Sequence, residues 1–211
     1  MAKTIADLLK AADTEWKHWG SSTWNLSTGK ANIGHIDDEL KFAKYVIENY
    51  NAVGGGKPTP SDIAKDKYPW SAVGMSYVFH EADFKKAEFP FAQSHSVWLR
   101  KFIKARKSGT ANALYHGYRL TEAGASPQVG DLVAYVREAG TFDDAQKYFD
   151  VTTAYMSHSD LVVERRHNEI DVVGFNVLDS VTKKTIPLDN NGFIADRKHK
   201  WFVVLRAKAL S

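Results

Sequence analysis

A serine, a histidine and an asparagine occur in an order that could build a nucleophilic site: Ser71, His158 and Asn176. A serine hydroxyl is a weak nucleophile and needs a base within hydrogen-bond reach, commonly a histidine whose ring is oriented by a third group. We therefore predict Ser71 as the nucleophile, His158 as the base and Asn176 as the orienting group. Backbone N–H groups near Ser71 would hold the oxyanion that forms when a carbonyl carbon is attacked.

Ser71 opens an apolar helical pattern that starts near Pro69 and runs to about Ala82. The unpaired N–H groups and the positive end of a helix dipole would favour negative charge that develops on the hydroxyl. A serine at a helix start also serves commonly as a cap. The reciprocal Glu or Gln of a capping box is missing, because Gly74 stands three residues further on. Both interpretations stay open at this point.

The contact between His158 and Asn176 depends on the length of one hairpin turn. If residues 166–168 form a three-residue turn, His158 faces Asn176, whereas a two-residue turn brings Val177 to that position. Asp160 lies two residues from His158 on the same strand face and is a second candidate for orienting the ring. His158 could instead be a structural histidine at a strand end.

Three residues are candidates for contact with a substrate: Trp70, His95 and Asp160. Trp70 directly precedes Ser71, and His95 follows the helix by a loop that could line a cleft. The alternatives are ordinary, because tryptophans at helical spacing are mainly core residues and a loop histidine is commonly just solvated.

Composition excludes several kinds of site. The chain has no cysteine, and therefore no disulfide, no thiolate nucleophile and no cysteine-based zinc site. The pair His80-Glu81 lacks the second histidine of a metalloprotease helix, because Phe84 stands in its place. We predict no metal and no other cofactor. A net charge of +3 is too small to indicate a nucleic-acid partner, and the basic segment 100–107 is interpreted as a solvated helix face.

Hydrophobic periodicity predicts helices in the first part of the chain and strands in the second. Helical spacing covers residues 4–20, 36–54, 69–82 and 97–107 and part of 111–118. Thr4 and Asp7 predict an N-terminal cap for the first of these helices. Short β-branched and aromatic runs predict strands at 132–136, 161–163, 170–173 and 201–205. This order, without βαβ alternation, predicts an α+β fold with a mostly antiparallel sheet. A glycine-rich connector separates an N-terminal helical region, 1–56, from a main domain, 57–211, and we expect the two to form one compact unit.

No apolar run approaches the roughly 18 residues of a membrane span. Residues 1–7 have the pattern of an amphipathic helix start rather than of a signal peptide. We therefore expect a soluble chain, cytoplasmic as synthesised and without a membrane span. Delivery to the periplasm or cell wall would need a dedicated route or host lysis, as for a toxin or a phage lytic protein.

Six short motifs occur in an order that spans most of the chain. They are Pro69-Trp70-Ser71-Ala72; Ser94-His95-Ser96 with Trp98-Leu99-Arg100; Pro127-Gln128-Val129-Gly130-Asp131-Leu132-Val133; His158-Ser159-Asp160-Leu161-Val162-Val163; Gly174-Phe175-Asn176-Val177 with Ser180-Val181-Thr182; and Trp201-Phe202-Val203-Val204-Leu205-Arg206. Together they resemble a bacterial domain-of-unknown-function family assigned to the papain-like clan of NlpC-type and CHAP cell-wall amidases and peptidases.

The resemblance implies a papain-like fold, in which a nucleophile helix packs on an antiparallel sheet that carries a histidine and a polar orienter on successive strands. These positions fall on Ser71, His158 and Asn176, with serine where the clan has cysteine. The implied function is a peptidoglycan amidase or peptidase, with peptidoglycan or a peptide as substrate and an immunity or inhibitor protein as a conceivable partner.

The missing cysteine motivates an alternative. A papain-like geometry suits a thiolate and imidazolium pair, whereas a serine must lose its proton as it attacks. The chain could therefore be a non-catalytic binding module that recognises a cell-wall fragment or a protein partner.

Overall fold

The computed structural model describes residues 3–208, which form six α-helices and one eight-stranded sheet. The helices are α1 (Ile5–His18), α2 (Leu40–Val53), α3 (Pro60–Ile63), α4 (Ser71–Glu81), α5 (Ser96–Lys107) and α6 (Phe142–Gln146). The strands are β1 (Ser22–Asn25), β2 (Ala31–Asn32), β3 (Tyr115–Arg119), β4 (Leu132–Val136), β5 (Ser157–Arg165), β6 (Glu169–Val177), β7 (Ser180–Pro187) and β8 (Trp201–Ala207).

Side-chain caps start some of the helices, but not α4. The Thr4 hydroxyl accepts the Asp7 N–H, and the Asp7 carboxylate accepts the Thr4 N–H, so a capping box begins α1 as predicted. In α4 the N-cap residue is Trp70, without a side-chain cap, and Ser71 is the first helical residue. The capping interpretation of Ser71 therefore does not hold, and its hydroxyl is available to another partner.

The sheet has the strand order β2-β1-β7-β6-β5-β4-β8-β3. All neighbouring strands run antiparallel except β1 and β7, which pair in parallel from Ser22 opposite Thr182 to Asn25 opposite Thr185. The α+β class and the mostly antiparallel sheet predicted from the sequence are confirmed.

The β5–β6 hairpin has the predicted register at Leu161 and Val162, the paired residues nearest to His158. Strand β5 ends at Arg165 and β6 begins at Glu169, which leaves a turn of residues 166–168. Beside the turn Arg165 lies opposite Ile170, and a bulge between Val162 and Glu164 then shifts the register by one residue. Beyond the bulge Leu161 lies opposite Val173, the pairing that a three-residue turn predicts.

The strands β1, β2, β3 and β7 were not predicted. Segment 111–118 was predicted to be partly helical, but Tyr115–Arg119 forms β3, paired with β8 at the edge of the sheet. The pairing partner lies far along the chain, so local sequence does not reveal it. The N-terminal region, predicted as helical, holds β1 and β2 in addition to α1 and α2.

Helices pack on one face of the sheet, where α4 contacts β5 and β6 and α5 contacts β3 and β8. The main hydrophobic core lies there and includes Trp70, Phe102 and Phe175. Leu8 and Trp19 from the N-terminal region belong to the same core. A second core covers the opposite face. Because both faces are buried, polar side chains on the central strands must find partners inside the protein.

Candidate functional site

A close approach of helix to sheet positions Ser71. A Cβ atom added to Gly74 would lie 2.5 Å from Phe175 Cδ1 on β6, so the glycine lets the first turns of α4 lie directly on the sheet. Ser71, at the start of this helix, is 5% exposed. Its hydroxyl therefore points into the protein, towards His95.

The direct partner of Ser71 is His95. Ser71 Oγ lies 2.9 Å from His95 Nε2, and His95 precedes α5 and is 2% exposed. On the other side of the ring, His95 Nδ1 accepts the Ser159 N–H at 3.1 Å and lies 2.8 Å from Ser159 Oγ. The Trp98 indole N–H donates to the same hydroxyl at 3.2 Å. This buried network joins α4, α5 and β5.

Hydrogen-bond directions define the tautomer of His95. Because Nδ1 accepts a backbone N–H, the neutral ring carries its proton on Nε2 and donates it to Ser71 Oγ. Burial lowers the pKa of His95 well below its usual range, and His158 and Arg137 add to the effect. In this arrangement His95 is a neutral donor to Ser71, with no lone pair facing the hydroxyl.

A second buried network contains His158. Its Nε2 lies 2.9 Å from Asp160 Oδ1, and Asp160 Oδ2 lies 2.7 Å from Lys184 Nζ on β7. All three residues are at most 1% exposed. Gly174 on β6 makes room for them, because a Cβ there would overlap Asp160 Oδ1.

Burial leaves His158 neutral, with an Nδ1 lone pair that faces Arg137. Burial opposes ionisation of Asp160, but Lys184 and His158 hold the pKa of that carboxyl below its usual range. Burial lowers the pKa of His158 to about 4, although Asp160 opposes the shift. His158 therefore donates Nε2–H to Asp160, and its Nδ1 lone pair faces Arg137 Nη2 at 3.3 Å.

The two networks touch through their imidazoles. The ring centroids of His95 and His158 lie 4.9 Å apart, at an interplanar angle of 43°. The site thus combines a buried hydroxyl, a histidine that donates to it and a second histidine oriented by a carboxylate.

The predicted pairing of His158 with Asn176 is not what the structure contains. Asn176 adopts φ 52° in a bulge of β6 between Phe175 and Val177. Among the described residues no side-chain hydrogen bond joins it to His158, whose Nε2 is bonded to Asp160 instead. Nor does a hydrogen bond join His158 to Ser71 within that part of the chain. The bulge turns Asn176 away from the regular register that the hairpin argument assumed.

Trp70 also differs from its predicted role in substrate contact. It is 1% exposed, its indole N–H donates to Asp37 Oδ2 at 2.6 Å, and its ring stacks on Trp19 at 4.9 Å. Both faces of the indole are therefore covered by the core.

Sequence reasoning gave His95 only a place in a cleft and missed Ser159 and Lys184. Ser159 lies between His158 and Asp160, so strand alternation turns it to the opposite face, towards His95. That alternation was the available signal for Ser159. For Lys184 we find none, because a lysine in a strand ordinarily faces solvent.

The side chains of the site have little solvent exposure, at most 5% for Ser71, His95 and His158. Four cavities on the described residues, with volumes of about 280 to 900 Å³, are lined by residues other than Ser71, His95 and His158. Within residues 3–208, no three His, Asp or Glu side chains are grouped to hold a metal ion. In the same part of the chain, no helix has the length and apolar character needed to cross a membrane.

The model of a protein family described as "Uncharacterized protein conserved in bacteria (DUF2272)" matches residues 43–207. The chain belongs to this family. The DUF2272 region contains Ser71, His95, His158, Asp160 and Lys184, and it begins within α2, after α1, β1 and β2. The match agrees with the bacterial domain of unknown function that the sequence motifs resemble. No curated protein and no solved structure matches the chain.

Proposed function

We propose that this protein hydrolyses amide bonds by acyl transfer through Ser71, on a papain-like fold of the NlpC and CHAP type. The carrying observation is the 2.9 Å contact of Ser71 Oγ with His95 Nε2 at the first turn of α4. The neighbouring His158–Asp160 pair supplies a second imidazole with a fixed orientation. A hydroxyl, a neutral imidazole and an ionised carboxylate are the groups that serine acyl transfer needs.

In this proposal His158 is the base and Asp160, rather than Asn176, orients it. His158 Nδ1 accepts the Ser71 proton through a bridging water as Ser71 Oγ bonds to the carbonyl carbon. The same proton passes to the leaving amine when the C–N bond breaks. A water molecule, deprotonated by His158 in turn, then hydrolyses the acyl-serine ester and regenerates Ser71.

His95 and the start of α4 would stabilise the charge that develops. The Nε2–H of His95 donates to Ser71 Oγ, which favours the alkoxide as the proton leaves. The first N–H groups of α4 have no side-chain cap and are the candidate donors to the oxyanion on the carbonyl carbon.

The proposed substrates are the peptides of peptidoglycan. This assignment rests on the resemblance to cell-wall amidases and peptidases, and it implies action in the periplasm or cell wall. An immunity or inhibitor protein that covers the site is the protein partner that fits such an activity.

A binding module remains the second candidate. It is favoured by the 5% exposure of Ser71 and by the tautomer of His95, which makes Ser71 Oγ an acceptor at rest. Such a module would bind a cell-wall fragment without turnover, and binding would survive Ser71→Ala.

The test is the release of new amino groups from purified peptidoglycan, with folding of each variant confirmed. We expect release by the wild-type protein and none by Ser71→Ala or His158→Gln. Ser76→Ala is the matched control, because it also removes a buried hydroxyl from α4 and should keep activity. His95→Gln retains an N–H donor and should keep more activity than His158→Gln.

Two outcomes would redirect the proposal. Full release by Ser71→Ala would exclude Ser71 as the nucleophile. Sedimentation of the wild-type protein with sacculi, without any release, would favour the binding module.

A further inference from the structure

Arg137 is an exposed arginine that contacts a fully buried histidine. It directly follows β4, and its backbone N–H donates to Met156 O, which fixes the start of its side chain. Arg137 is exposed, yet its Nη2 lies 3.3 Å from Nδ1 of His158, which has no solvent exposure. Arg137 therefore links the solvent to the candidate base.

The guanidinium has donors to spare. Within residues 3–208 no salt bridge joins Arg137 to a carboxylate, and the neighbouring Glu138 accepts the Met156 N–H instead. The contact with His158 is its one side-chain hydrogen bond in that part of the chain. A guanidinium has five N–H donors in a planar fork that matches a carboxylate. An anion that enters from solvent can therefore bind Arg137 without displacing an internal ion pair.

We propose that Arg137 binds a carboxylate of the substrate, so that the site selects peptides with a free carboxylate beside the bond that Ser71 attacks. This inference rests on the proposed function of Ser71 and His158 and adds the substrate class. Arg137 is thus a specificity-determining residue.

The same contact couples binding to the state of the base. At rest Arg137 occupies the lone pair of His158 Nδ1, the atom that must accept the Ser71 proton. A carboxylate that pairs with Arg137 draws the guanidinium away and leaves that lone pair free. No covalent bond changes in this step, because only hydrogen-bond partners are exchanged.

The charges around His158 support this coupling. Asp160 and Lys184 form an ion pair on one side of the ring, and neutral His95 lies beside it, so Arg137 is the cation at its solvent side. An anion on Arg137 offsets that charge and makes His158 a stronger base.

The experiment uses two probes on the full chain: N-acetyl-alanyl-alanine, which has a free carboxylate, and its C-terminal amide. NMR of the imidazole nitrogens follows binding and the titration of His158. For the wild-type protein we expect binding of the acid at least about tenfold tighter than the amide, a preference typical of one charge-assisted contact. Arg137→Ala should abolish the preference, and Arg137→Lys should restore part of it.

Lys104→Ala is the control, because it removes the same charge from the exposed surface of α5 and should keep the preference. Without any probe, Arg137→Ala should raise the titration midpoint of His158, and Lys104→Ala should leave it unchanged. Equal affinity of the wild-type protein for both probes, no binding of the acid, or a preference that survives Arg137→Ala would each overturn the proposal.

The two proposals fail in different ways. An acid preference that needs Arg137, without amine release from peptidoglycan, would keep the carboxylate site and reject hydrolysis by Ser71. Amine release that needs Ser71, with equal affinity for acid and amide, would keep the hydrolase and reject the role of Arg137.

Discussion

Replacing Gly174 by alanine should break the buried network around His158 without touching any of its polar groups. The added Cβ would overlap Asp160 Oδ1 and would lie 3.1 Å from His158 Nε2 and 2.9 Å from Val177 Cγ2. Gly174 is in the middle of β6, where the backbone cannot retreat without breaking its pairing. The Asp160 carboxylate must therefore move.

The expected cost follows from what Asp160 holds. Its two oxygens bond His158 Nε2 at 2.9 Å and Lys184 Nζ at 2.7 Å, and none of the three side chains has more than 1% exposure. Breaking a buried ion pair typically costs about 3 to 5 kcal/mol, because a charge is left without a partner. We expect Gly174→Ala to lower the free energy of unfolding by roughly 3 kcal/mol or more.

Denaturant unfolding would measure this change, and NMR would follow the Nε2–H of His158. Gly140→Ala is the matched control, because its Cβ meets nothing closer than Asp144 Oδ2 at 3.6 Å. That variant should stay close to wild-type stability or exceed it slightly. A Gly174→Ala protein with wild-type stability and an unchanged His158 signal would refute the packing described for Asp160.

Three further substitutions test other parts of the structure. Burial raises the pKa of Glu15 from 4.5 to about 7. Between these pH values the native state holds a proton that the unfolded chain has lost, so the free energy of unfolding falls as pH rises from 4.5 to 7. Glu15→Gln should remove about 3 kcal/mol of this pH dependence, measured by unfolding curves across that range. Trp70→Phe should lower the free energy of unfolding by about 1 to 3 kcal/mol at pH 8, because the ionised Asp37 carboxylate then loses the hydrogen bond from the indole N–H. The loss should be smaller at pH 5, because burial raises the pKa of Asp37 to about 6 and the carboxyl is then mostly protonated. An equal cost at both pH values would contradict that assignment. Gly74→Ala should push α4 away from Phe175, lower stability by about 1 to 3 kcal/mol and reduce amine release from peptidoglycan, and wild-type values for both would argue against a close helix–sheet contact at Ser71.

The elements that the sequence predicted well depend on neighbouring residues. The capping box of Thr4 and Asp7, and the apolar spacing of α5, act within a few residues, so a local pattern contains most of the information. The short turn between β5 and β6 was predictable in the same local way, but the register of the two strands also depends on a bulge between Val162 and Glu164. The proximity of His158 and Asp160 was also predictable, because alternate residues of a strand share a face.

The remaining features depend on contacts between distant parts of the chain. Tyr115 belongs to a strand because it pairs with Ala207. Lys184 can be buried because its ammonium group bonds the Asp160 carboxylate on another strand. His95 is oriented towards Ser71 because Ser159 bonds the opposite nitrogen of its ring, and Trp98 in turn donates to the Ser159 hydroxyl. Residue type and spacing do not show which distant residues come together. The sequence therefore predicted His95 only as a residue that lines a cleft, whereas in the structure it bonds Ser71.

The parallel pairing of β1 with β7 makes the folded unit larger than the region that the family model matches. The family region begins at residue 43, but β1 covers the outer side of β7, and Trp19 stacks on Trp70 beside the helix of Ser71. A chain shortened to the family region would leave β7 with an open row of N–H and C=O groups, a template for aggregation. Chimaeras between relatives should therefore exchange residues 1–42, which contain β1, together with β7. A graft made at residue 43 would transfer the site without β1, the strand that pairs with β7.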